Sequence, residues 1–303
     1  MTSRERLMAM LQGKPVDRPG VNFYEIGGFK VNPDDPNPFN VYNHPSWRPL
    51  LQLAEEHTDL IRMRAVRGRR GHGHPQDEFF TREVYFENDA RFTRTTLRVG
   101  GRTMTELQRR DRALDTTWTV EHLLKDVDDL NAFLKLPDEA LDEEPDLGPF
   151  PEADEEVGDR GIVMVDTEDP ICAAAMLFSM ETYILIAFTE ATLFHQLLEK
   201  LARPLHARTE KIARAFPGHL WRIYGPEYAT EPYLPSPLFN EYVVNYTKPM
   251  VDTIKQHGGY ARVHCHGRIG NALSHFAAMG ADAIDPIEPP PQGNVYLADV
   301  RRD

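Results

Sequence analysis

The chain predicts an α/β fold of the TIM-like (β/α)8 barrel type, cut off after its sixth strand, in a single domain spanning residues 1–303. Three observations carry this reading. Six short apolar runs recur along the chain, each followed by helical periodicity, which is the pattern of a parallel sheet. Each run closes on polar or charged residues, and barrels place their chemistry at that C-terminal rim. Between residues 79 and 109 the pattern changes to period two around Gly100-Gly101, an antiparallel insertion. A closed barrel needs two more units, and Val295 to Val300 reads as a helix just begun when the sequence stops at Asp303. A truncated barrel is favoured over an open sheet. Six strands leave two unpaired edges, so the chain is expected to be a fragment, or else to recruit another chain as an oligomer.

The elements follow in order. Thr2 or Ser3 caps a first helix with Leu7, Met8 and Leu11 on its apolar side and Gly13 at its end. Gly20 to Ile26 reads as the first strand, closed by Gly27-Gly28, and a Pro- and Asn-rich loop runs to Pro45. Trp47, Leu50, Leu51 and Ala54 mark a helix from Pro45 to His57, and Asp59 to Met63 is the second strand. The basic stretch 66–77, with His72 and His74, is a loop or an anion clamp. After the insertion, Trp118 to Leu134 reads as helix and the acidic stretch Pro137 to Glu156 as a solvated connection. Ile162 to Val165 is the third strand, and two helical stretches follow, the second (Glu190 to Ala215) bent at Pro204. Leu220 to Tyr224 is the fourth strand, followed by a helix from Phe239 to Ile254 interrupted at Pro249. The strand ending at His264 is the fifth, and Gly280 to Asp285 is the sixth.

Composition narrows the function classes. A formal net charge of −13 argues against nonspecific binding to nucleic acid or to an anionic membrane surface. The charged N-terminus lacks a signal peptide, and the apolar run Ile171 to Phe188 is broken by Ser179, Glu181 and Thr182, as in a buried helix. Cys172 and Cys265 stand in apolar contexts and read as reduced thiols of a cytoplasmic protein. A small-molecule substrate fits this profile.

The chemistry concentrates in Arg262-Val263-His264-Cys265-His266-Gly267-Arg268-Ile269-Gly270. Alternation along a strand puts His264 and His266 on one face and Cys265 on the other. Two imidazoles on one face make a two-ligand metal grip of the kind zinc accepts. Equally, one histidine caps the turn and the other is an ordinary pocket residue.

Several stretches together resemble the uroporphyrinogen decarboxylase superfamily. They are Arg4-Glu5-Arg6-Leu7 with Gly13 to Pro19, Thr119 to Asp126, and the run from Pro237 through His264-Cys265-His266-Gly267 and Gly280-Ala281-Asp282 to Glu288. The resemblance implies an (α/β)8 barrel with a site at its C-terminal rim and one of two chemistries. True decarboxylases bind a carboxylate-rich tetrapyrrole through arginines after the first strand, where this chain has Glu25-Ile26-Gly27-Gly28-Phe29. An aspartate is expected after the second strand, where Arg62-Met63-Arg64 stands; Arg62, Arg64, Arg67, Arg69 and Arg70 remain as alternative cations. The other branch comprises zinc-dependent methyltransferases that exchange a methyl group between a corrinoid, carried by a partner protein, and a small thiol. Its His-x-Cys-Gly signature is met here by His264-Cys265-His266-Gly267, with His266 in the place of the cysteine. A harder, thiolate-poor zinc would favour oxygen acceptors.

Rim positions supply the remaining candidates. Glu288, stiffened by the prolines after it, and Glu227 are the catalytic carboxylates, with Asp285 competing with Glu288. Tyr24, Glu25, Tyr228 and Arg268 are the substrate-binding residues, and His264 and His266 the metal ligands. Asp166, Glu168 and Asp169 follow the third strand, although Asp169-Pro170 also suits a helix cap. Methyl transfer leads, with decarboxylation and a noncatalytic binding barrel as alternatives.

Overall fold

The computed structural model describes residues 1–24, 26, 35–69 and 73–300. The chain divides into two compact units, one drawn mainly from residues before 164 and one mainly from residues after it. A five-stranded sheet has the order β1-β8-β9-β10-β11, with β8 (Gly161–Glu168), β9 (Leu220–Tyr224), β10 (Tyr260–His264) and β11 (Ala283–Asp285) paired in parallel. β1 is Leu60–Ala65.

In the first unit, α1 (Ser3–Leu11) starts from Thr2 in a reciprocal capping box with Glu5. Arg6 and Arg18 both bind the fully buried Asp59, Arg6 at 2.6 Å and Arg18 at 2.7 Å. That carboxylate also accepts the Val21 N–H at 2.9 Å, while the Asp59 N–H donates to the Val21 carbonyl. Gly20 to Ile26, expected as the first strand, forms none among its described residues. Val21 and Phe23 leave their side chains in solvent, and the backbone groups of Val21 are spent on one residue, Asp59. α2 (Arg48–His57) and β1 are where the sequence places them. Arg62 on β1 is wholly buried between Glu55 and Glu156, so it is a core ion pair and not a cation offered to substrate.

The antiparallel insertion is a four-stranded sheet, β3 (Phe80–Glu87), β4 (Ala90–Val99), β5 (Arg102–Asp111) and β6 (Thr117–Glu121). Asn88 and Asp89 both have positive φ, as do Gly100 and Gly101. Two-residue loops of this kind match the twist of the strands they join. β6 takes up residues expected in a helix from Trp118 to Leu134. Thr117, Thr119 and Val120 suit a strand, and β5 offers them a ladder, so the helix α3 (Val127–Phe133) begins only where Asp126 caps it. The acidic connection likewise contains a helix, α4 (Pro149–Val157), because Phe150, Ala153 and Val157 fall on one buried stripe.

In the second unit, the basic stretch forms β2 (Gly68–Arg69), paired with β7 (Glu144–Pro145), and Arg69 meets Asp146 at 2.5 Å. Arg70 and His72 lie outside the described residues. α5 (Pro170–Ala175), α6 (Met180–Thr189), α7 (Ala191–Ala215) and α8 (Asn245–Gln256) supply the helical layer. α7 runs unbroken through Pro204. The interruption expected at Pro249 falls earlier, as a wide π turn at Asn240–Val244 that ends where Pro249 withholds the N–H that the Asn245 carbonyl would take. No helix among the described residues is long and apolar enough to cross a membrane.

Asp169 caps α5, accepting the Cys172 N–H at 2.8 Å and the Thr247 hydroxyl at 3.3 Å, with its side chain fully buried. Burial pushes its carboxyl well above the usual range. The folded chain therefore keeps a proton that the unfolded chain releases near pH ~4, and this residue subtracts stability as pH rises above that value. Asp169→Asn keeps the cap acceptor and removes the penalty. Its melting temperature relative to wild type should rise between pH 4 and pH 7; a difference that stays flat across that range would show that Asp169 is charged in the fold.

Candidate active site on the polar face of the parallel sheet

Register and alternation sort β8 to β11 into two unlike faces. Val165, Trp221, Ala261, Thr167, Ile223 and Val263 share one face, and all are buried. The opposite face begins apolar with Met164 and Leu220, then turns polar. Asp166, Arg222 and Arg262 stand in register in one row, and Glu168, Tyr224, His264 and Asp285 in the next. The polar face thus lies toward the C-terminal ends of the strands.

Its groups are paired across the strands. Arg222 donates to Asp166 at 2.8 Å and lies over the Tyr224 ring at 5.2 Å. Burial raises the Asp166 carboxyl even though Arg222 opposes it. Burial also pushes Glu168 up, but Arg208 of α7, at 2.9 Å, outweighs it and holds that carboxyl below its usual value. The Tyr224 hydroxyl donates to the same carboxylate at 3.3 Å.

At the far edge, Asp285 serves two partners. One oxygen is 3.0 Å from the Arg262 guanidinium, and the other is 3.0 Å from Nδ1 of His264. A carboxylate only accepts, so Nδ1 of His264 is the donor of this hydrogen bond. β10 ends at His264, and His266 follows in the turn, yet the rings lie 4.6 Å apart at 85° as alternation led us to expect. His266 has its own carboxylate: Nδ1 is 3.3 Å from Glu288, whose second oxygen accepts the Gly267 N–H at 2.7 Å. That N–H and the imidazole hold the Glu288 carboxyl below its usual range. His264 is 4% exposed, whereas the His266 side chain is 51% exposed. Cys265 is buried, and its N–H donates to the Asp285 carbonyl at 2.8 Å.

The structure brings His264, His266, Asp285 and Glu288 together. Glu227 and Tyr228, both part-exposed, follow β9 in a 3-10 turn beside a second group, the buried Asp169, Cys172 and Cys265, whose ionisation Glu227 opposes. The Tyr228 carbonyl accepts from Tyr183, and its hydroxyl meets the sulfur of Met176 at 3.5 Å. Arg268 turns to Glu231, 3.6 Å away. Tyr24 lies in the first unit and Glu25 outside the described residues. A hollow of about 620 Å³ in the first unit, bordered by Asn37, Asn43, His44, Trp47 and Arg112, holds none of the expected residues. In sequence, Arg222 and Tyr224 read only as part of a strand, and Arg262 only as part of the histidine stretch, none of them as a site residue. Their signal is a polar pair two residues apart at the end of each strand: Asp166/Glu168, Arg222/Tyr224 and Arg262/His264.

The donor set does not make up the zinc centre that the resemblance implies. Among the described residues no three of His, Cys, Asp and Glu are grouped to hold a metal. Both thiols are buried, and burial raises them well above the range in which a thiolate forms.

No protein-family model matches the chain, and no curated protein matches it in sequence. In three dimensions it is similar to a methyltransferase from Methanosarcina mazei, with a TM-score of 0.51 at 14% identity over 94% of this chain and 75% of that one. At that identity the likeness is one of fold.

Asp285→Ala would leave Arg262 largely buried without its carboxylate, which should cost about 3 kcal/mol. Glu288→Gln keeps an acceptor for the Gly267 N–H at an open rim and should cost less than about 1 kcal/mol. Urea unfolding of both variants measures the contrast, and equal losses would mean that Asp285 does not support Arg262.

Proposed function

We propose that this chain is a methyltransferase-like enzyme built on a (β/α)8-type barrel. On this reading it passes a methyl group to a small acceptor at the polar ends of β8 to β11. The observation that carries it is the His264–Asp285 pair at 3.0 Å, a base oriented by a carboxylate, on a fold similar to that of a known methyltransferase. The acceptor X–H gives its proton to the His264 imidazole as the X–CH3 bond forms and the bond from methyl to its carrier breaks. Asp285 fixes the ring and stabilises the imidazolium, and Glu288 does the same for His266. The carrier is a corrinoid held by a partner protein, which the sequence resemblance motivates. Zinc enters this reading only if donors besides His264 and His266 complete its shell.

A second reading has one observation in its favour. Arg222 and Arg262 are neighbours in register on the polar face, and adjacent guanidinium groups suit a carboxylate-rich substrate such as uroporphyrinogen, which would have to displace Asp166 and Asp285 to reach them.

The two readings part in one assay. The purified chain is incubated with methylcobalamin and 2-mercaptoethanesulfonate, and methyl transfer is followed by the change in corrinoid absorbance. His264→Gln should slow turnover by about 100-fold, the usual worth of a positioned base. Carbon dioxide release from uroporphyrinogen without any loss of methylcobalamin would replace methyl transfer by decarboxylation.

A further inference from the structure

We propose that β3 is the docking edge for a second copy of this chain, the two strands pairing antiparallel about a two-fold axis with Val84 opposite Val84. The sheet β3-β4-β5-β6 ends on β3, which β4 pairs on one side only. Alternate residues of an antiparallel strand turn both backbone groups away from the partner, so half of this edge points outward. Among the described residues, no backbone group of residues 81–87 bonds to anything beyond β4. The other edge, β6, has five residues and a register shift against β5, one of the ways in which sheets blunt an edge. β3 has eight residues in unbroken register, with no proline and no lysine among them. It also leaves large apolar groups in solvent on one face, with Val84 50% exposed and Phe86 64% exposed.

The charges on the strand select both the partner and the register. Opposite residues of an antiparallel pair share a face, so a strand meets its own copy about a residue and never between two. Like charges directly opposite are destabilising. Centring on Arg82 or Glu83 sets that charge against its own copy, and centring on Tyr85 sets Glu83 against Glu87. Centres nearer either end pair only a short stub of strand. Centring on Val84 pairs residues 81–87 throughout and opposes no like charges. Arg82 then meets Phe86, a guanidinium against an aromatic ring. Glu83 meets Tyr85, a hydroxyl donor whose ring is held in place by stacking on Phe92 at 5.2 Å. Val84 and Phe86 of both copies gather on one face around the axis. An edge of this length makes a small interface, so the dimer should form in the micromolar range.

The test uses the full chain. Sedimentation velocity from about 1 to about 300 µM should show a monomer–dimer equilibrium. Val84→Lys sets two ammonium groups opposite each other and should raise the dimer dissociation constant about tenfold or more. Circular dichroism melting checks that this variant keeps its fold. Disulfide trapping reads the register. Opposite Cα atoms lie about 4.5–5.5 Å apart, within reach of a disulfide, so mild oxidation of Val84→Cys should give a covalent dimer. In Arg82→Cys the two thiols would stand about 13 Å apart along the strands and should not join. Cys172 and Cys265 are buried, so the wild type serves as the blank. A wild type that stays monomeric throughout the series would overturn the proposal and leave the edge to a strand of another protein. A dimer that Val84→Lys does not weaken, that Val84→Cys fails to trap, or that Arg82→Cys traps equally well would overturn it as well.

Discussion

Asp285 is the residue on which the candidate site depends. Its carboxylate joins a guanidinium to an imidazole, and its carbonyl accepts the Cys265 N–H, so side chain and main chain both fasten the edge of the sheet. β11 has only three residues, and its register with β10 decides everything at that edge. A slip of one residue would present Ile284 to Arg262 and His264, and turn Asp285 toward the apolar side. A buried guanidinium without its carboxylate is costly, which makes the correct register the favoured one.

The same logic extends across the sheet. A sheet face buried in a core is ordinarily filled by aliphatic side chains, as the opposite face is here with Val165, Ile223 and Val263. The polar face instead carries charge in compensated steps, Asp166 with Arg222 and Arg262 with Asp285. Such pairs contribute little net stability after desolvation. What they supply is a set of fixed dipoles and charges around two imidazoles, which is the kind of preorganisation that catalysis uses.

Much of this was legible in the sequence, and the failures have physical causes. Period-two alternation placed His264 and His266 together and Cys265 apart, and the Gly100-Gly101 turn announced the insertion. Helix-like apolar spacing misled at Trp118 to Leu134, because a free ladder on β5 outweighs a weak helical preference. The first strand failed because exposure and the demands of Asp59 do not show in a run such as Val21-Asn22-Phe23-Tyr24. Neither Arg222 nor Arg262 stands out as a site residue in the sequence, because only strand register sets them side by side. Glu227 and Arg268 fall in the loops after β9 and β10, and such loops aim side chains in ways that periodicity does not encode.

The two hairpin loops at Asn88-Asp89 and Gly100-Gly101 have a consequence for how the chain reaches its fold. β3, β4 and β5 meet partners that are their immediate neighbours in sequence, so this sheet closes at small entropic cost. β8, β9 and β10 must each wait for intervening helices before finding the next strand. Contacts between near neighbours form faster than distant ones. Local pairing thus favours early closure of the insertion, with the candidate site's face among the last surfaces to be assembled.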